Sequence, residues 1–60
     1  MKRLSTSEKV IVNLRRKDMT RAELAEKLGL TLMTINRRIE SNAWRPVEIY
    51  YMTTALHFEL

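Results

Sequence analysis

Apolar residues recur along this chain at helical spacing, in four short runs. Val10, Ile11 and Leu14 share one face of the first run, and Leu24, Ala25 and Leu28 form the stripe of the second. The third reads Leu32, Ile35 and Ile39, and the fourth Ile49, Met52 and Leu56 with Ala55 beside them. Spacings of three, four and seven put such residues on one side of a 3.6-residue helix. Val12 falls off the first stripe and is expected at the surface. Leu56, Phe58 and Leu60 alternate at the end, over too short a stretch to assign as strand or helix.

Start and stop signals bracket the runs. Ser5 with Glu8, and Thr20 with Glu23, each make a capping box in which side chains satisfy free amides at a helix start. Met19 and Leu24 add a hydrophobic staple to the second box. Asp18–Met19 breaks the first helix. Gly29 follows the second stripe, where a left-handed residue ends a helix and lets Leu30 fold back on Leu24 or Ala25. Thr31 caps the third helix, residues 32–40, and Ser41-Asn42-Ala43 is its exit. Pro46 suits the first position of a last helix, about 46–56. The expected fold is all-α: one domain over 1–60, a small bundle of four short helices, or five if the terminal residues form one.

Composition sharpens this picture. Sixty residues bury only about 60% of the unfolded surface, so the domain is marginal alone and a dimer contact would help it. One Gly and one Pro leave little turn chemistry for a meander of strands. The absence of Cys excludes a disulfide scaffold, and a structural zinc site lacks ligands. No apolar run nears the ~20 residues of a membrane span, and no signal peptide is visible, which together fit a cytosolic protein. No carboxylate pair, nucleophile–base set or phosphate loop is recognisable, so neither an enzyme nor a cofactor or metal is expected. His57 has no ligand-type neighbour and reads as structural or exposed.

The net charge is +4, unevenly spread. Residues 1–21 carry seven basic side chains against two acidic, and residues 22–60 four against five. Such an excess attracts a polyanion, nucleic acid or an anionic membrane. It also suits plain solubility, and Arg15, Arg16 and Lys17 complement a helix C-terminus as a solvated cluster. Capped helices joined by turns point to a packed fold, not one long membrane-surface face.

The informative unit is RAELAEKLGLTLMTINRRIE, residues 21–40: a short helix, a glycine turn and a second helix, hence a helix-turn-helix. Ala25 permits close crossing, Gly29 supplies positive φ, and Leu24, Leu28, Leu30 and Ile35 fill the wedge.

These residues resemble the Cro and repressor-type helix-turn-helix proteins of temperate phages. LAEKLGL is similar to that family's first motif helix and turn, and TINRRI to part of its recognition helix. WRPVEIYYMTTAL resembles the helix that follows the motif. The resemblance runs from about Glu8 to Leu56. It implies that helix 32–40 enters the DNA major groove while the first motif helix braces across the backbone. Carried over, base-edge positions are Thr31, Leu32, Met33, Asn36 and Arg37, with Arg37 suited to guanine and Asn36 to adenine. Thr20, Arg21, Thr34, Arg38 and Arg45 would hold the phosphate backbone. Leu32 is expected partly in the core and Met33 exposed. Ile39 takes over the packing that the family usually gives to Arg38's place.

The function implied is a phage-type transcriptional regulator, bound as a homodimer to operator DNA in the cytoplasm of a bacterial host and on its nucleoid. The last helix and tail, with Tyr50, Tyr51, Phe58 and Leu60, are the expected dimer surface; Trp44 and the tyrosines read as core or dimer aromatics. The alternative is a helix-turn-helix-fold modulator that binds a partner repressor through Leu32 and Met33. Arg37 and Arg38 could, on that reading, be a solvated face.

Overall fold

Four helices follow in chain order in the computed structural model, which describes residues 4–60: α1 Thr6–Arg16, α2 Arg21–Leu28, α3 Leu32–Ser41 and α4 Pro46–Thr54. The described residues contain no strand. Lys2 and Arg3, part of the N-terminal charge excess, lie outside them. No described helix is long and apolar enough to cross a membrane.

The helix starts are built from side chains three residues apart. Ser5 Oγ accepts the Glu8 amide at 3.2 Å while Glu8 Oε1 accepts the Ser5 amide at 3.1 Å. Thr20 and Glu23 repeat the arrangement at α2, with distances of 3.1 and 3.2 Å. Thr31 Oγ1 accepts the Thr34 amide to open α3. At α4 Pro46 takes the first position and Glu48 reaches back to the Arg45 amide at 2.9 Å.

Two helix ends share one geometry. After α1, Asp18 is left-handed (φ 51°), the Met19 amide donates to Leu14 O at 2.9 Å and Asp18's own amide donates to Arg15 O at 3.2 Å. After α2, Gly29 (φ 70°) does the same, with Leu30 donating to Ala25 O at 2.8 Å and Gly29 to Glu26 O at 3.2 Å. These six-to-one and five-to-two bonds satisfy carbonyls that a helix leaves open. Asn42 (φ 55°) ends α3.

Val10, Leu14, Leu24, Ala25, Ile35, Trp44, Met52 and Phe58 form the core. Full burial of the larger of these side chains, Ala25 excepted, contributes roughly 1.5–3 kcal/mol each. Leu28, Leu30, Ile39, Ile49 and Leu56 pack against it half-buried. Several expected positions differ. Leu32 is exposed, because as the first residue of α3 it precedes the point where the helix crosses the core. Ile11 and Val12 are both half-buried, and Ala55 is exposed. The last helix ends at Thr54 instead of near 56, and residues 57–60 form no fifth helix. His57 is left-handed (φ 57°), which turns the chain back so that the Phe58 amide reaches Met52 O and its ring enters the core. Phe58 therefore does not belong to an outer dimer surface.

Three polar side chains are buried with partners: Ser7, Asn13 and Glu48. Asn42 Oδ1 accepts the Ser7 amide at 2.9 Å, so the residue that ends α3 also caps the first turn of α1. The Trp44 indole N–H donates to Ser7 Oγ at 2.9 Å. Asn13 closes the tail onto α1: its Nδ2 donates to Lys9 O and Glu59 O, and its Oδ1 accepts the Glu59 amide.

Candidate nucleic-acid interface

α2 and α3 are joined by Gly29, Leu30 and Thr31, and α3 packs on both α2 and α1. Ile35 is fully buried and anchors the inner side of α3. The outer side follows by helical rotation. Met33 is 65% and Leu32 46% exposed, Arg37 is exposed, and Asn36 is half-buried. Of the base-edge positions, Thr31, Leu32, Met33 and Arg37 are thus open to solvent, and Asn36 lies at the edge of the packed surface.

The adjacent arginines separate. Arg37 points outward, whereas Arg38 turns inward, its Nε donating to both Glu48 carboxylate oxygens at 3.1 and 3.3 Å. Side-chain exposure is only 19% for Arg38 and 8% for Glu48. The expected phosphate contact of Arg38 is revised accordingly. Its charge is matched inside the fold, and it ties α3 to the start of α4. Glu48 was not singled out from the sequence as a tie. Its signal was an acid two residues after Pro46, the third position of a helix.

Thr20 and Arg21 are exposed at the start of α2. They share a surface depression of about 260 Å³ with Ile11, Leu14, Arg15 and Met19. Arg15, read from the sequence as part of a solvated helix end, therefore sits with Arg21 beside a helix N-terminus. Arg15 and Arg21 make the lining basic, and the Arg21 and Ala22 amides are those of the first turn that the Thr20–Glu23 capping box does not use, a combination suited to a phosphate. Arg16 instead pairs with Glu59 at 3.1 Å on the open surface. Thr34 is half-buried with its hydroxyl on Thr31 Oγ1 at 3.0 Å, and Arg45 is exposed at the cap of α4. Arg21 Nη1 also donates to Asn36 Oδ1 at 3.0 Å, joining α2 to α3. Among the described residues no group of His, Asp and Glu side chains is placed to hold a metal.

Residues 14–41 match the family model described as winged helix-turn-helix DNA-binding. The match covers just under half of the chain, from the last turn of α1 to the end of α3. This stretch is similar to helix-turn-helix segments that bind DNA. The described residues include no strand that could form a wing. No curated protein and no solved structure matches the chain.

Proposed function

We propose that this protein is a non-catalytic transcriptional regulator of the phage Cro and repressor type, which lays α3 in the major groove of operator DNA as a homodimer. The observation that carries the reading is the helix-turn-helix itself. α3 is anchored inward by Ile35 and Arg38 and leaves Met33 and Arg37 exposed, while Asn36 is bonded to Arg21 of the basic notch formed with Arg15 and Thr20. Thr31, Leu32, Met33, Asn36 and Arg37 meet base edges; Arg15, Thr20, Arg21, Thr34 and Arg45 meet phosphates. The protein works in the cytoplasm of its host, on the nucleoid.

Reach supports a dimer. The ten residues of α3 span about 15 Å, or four to five base pairs, and a site that short recurs too often among ~10⁶ or more competitors. Two copies reading half-sites about one turn apart, ~34 Å, remove that ambiguity. Val47 and Tyr50, 70% and 69% exposed on α4, with Tyr51 beside them, form the proposed contact between copies.

A second reading is favoured by one observation: Leu32 and Met33 are apolar and exposed at the leading end of α3. On that reading they pack on a partner repressor, and the fold modulates it without reading DNA. Selection of bound duplexes from a random pool, with a salt titration, separates the two. An operator reader yields a palindromic consensus and steeply salt-dependent affinity. Arg37→Ala then costs about 1–3 kcal/mol, focused on one base position. Weak, sequence-blind binding that ignores Arg37→Ala would overturn the operator reading and favour the partner protein.

A further inference from the structure

Among the contacts joining α2 to α3, the hydrogen bond from Arg21 to Asn36 has a chemistry that fixes direction. A guanidinium carries only donors, so the atom of Asn36 that faces it must be the amide oxygen. At 3.0 Å, with Arg21 at the first position of α2, the carboxamide is held with Oδ1 toward the notch. Its Nδ2 is then the end left for other partners. An unrestrained asparagine can rotate its amide and pair bidentately with adenine, offering donor and acceptor together. Here one lone pair of the acceptor is already held by a cation, and that bond sets the direction in which the amide faces.

We propose that Arg21 is a specificity-positioning residue. By holding Oδ1 of Asn36 it makes this asparagine read its base through the amide donor, toward an acceptor such as purine N7, rather than as an adenine-selective pair. This deepens the DNA-binding reading and rests on it. Arg21 has donors to spare, five in all, so one can stay on Asn36 while others meet the phosphate in the notch shared with Arg15. Both residues are near the surface in the free protein, where water weakens the bond. Docking on DNA excludes that water and strengthens it. Backbone contact and base preference are thereby coupled through one side chain.

The test compares base preference, not affinity alone, by duplex selection on the full chain. Asn36→Ala first identifies the base position that Asn36 reads. In the unaltered protein that position should accept either purine. Arg21→Ala should shift it toward adenine by about fivefold or more, besides lowering affinity at all sequences. Arg21→Gln, which keeps an N–H donor but no charge, should restore the purine preference while affinity stays low and the salt slope stays reduced. Arg21 is exposed at a helix start, so thermal melting should show both variants folded. A uniform affinity loss with an unchanged base profile in Arg21→Ala would overturn the positioning role, leaving Arg21 as a phosphate contact only. If the unaltered protein selects no consensus at all, the DNA-binding reading itself fails, a result distinct from the first.

Discussion

At Gly29 the backbone turns with φ 70°, and a Cβ built there meets no heavy atom within 4 Å. The objection to a side chain is therefore local to the backbone, with no clash against the rest of the fold. Gly29→Ala should lower stability by about 1 kcal/mol, the cost of an L-residue in the left-handed region. Denaturant titration reads this directly, and an unchanged midpoint would refute it. Asp18 and Asn42 occupy the same region without being glycine, and the difference is instructive. Asn42 returns something for its strain, since its side chain holds the Ser7 amide. Gly29 was legible because glycine has few other reasons to stand after an apolar stripe. Asp18 was legible only as a break in the pattern.

Between elements, a largely buried ion pair fastens α3 to α4. Glu48 accepts from the Arg45 amide and from Arg38 Nε, capping one helix while neutralising a cation from another. Removing one partner of a mostly buried pair leaves a charge with little water, so Glu48→Ala should cost about 2–4 kcal/mol. Replacing both, Arg38→Met with Glu48→Leu, should recover much of that loss, because the desolvation of two ions is avoided. Equilibrium unfolding of the single and double variants checks the contrast. A single variant costing well under 1 kcal/mol would show that the pair contributes little. The element boundaries themselves were largely readable: the caps at Ser5, Thr20 and Thr31 and the proline at 46 each act within three or four residues. The direction of Arg38 was not, because adjacent arginines on a helix differ only in rotation, and what lies behind each is set by α4.

For the whole molecule, closure depends on the tail. Asn13 pairs with both backbone groups of Glu59, Lys9 Nζ donates to Leu60 O at 2.8 Å, and Phe58 fills the core between them. Asn13→Ala should destabilise the fold by about 1–3 kcal/mol through the lost bonds of a buried amide. It should leave DNA affinity, measured well below the unfolding midpoint, unaltered, since no base or phosphate position proposed above lies on Asn13 or the tail. Unchanged stability would mean that Phe58 alone holds the tail. The charge excess also changes meaning at this scale. Arg16 is matched by Glu59, whereas Arg15 joins Arg21 at the start of α2. A run that reads as one basic cluster thus serves two different surfaces.

By itself the sequence determined four helices, the caps that open the first three, the left-handed turn at Gly29 and most of the apolar stripes. Each of these follows from hydrogen bonds or spacing over a few residues, so neighbours along the chain suffice to specify them. Only the tertiary structure decided that Phe58 belongs to the core, that Leu32 is exposed and that Arg38 faces inward while Arg37 does not. It likewise brought Arg15 to Arg21 and Arg21 to Asn36. The bonds behind the inward Arg38 and the held Asn36 join residues 10 and 15 apart along the chain, and the tail closure of Asn13 with Glu59 joins residues 46 apart. Such pairs form only once the helices have crossed, and the crossing is set by how the whole core packs.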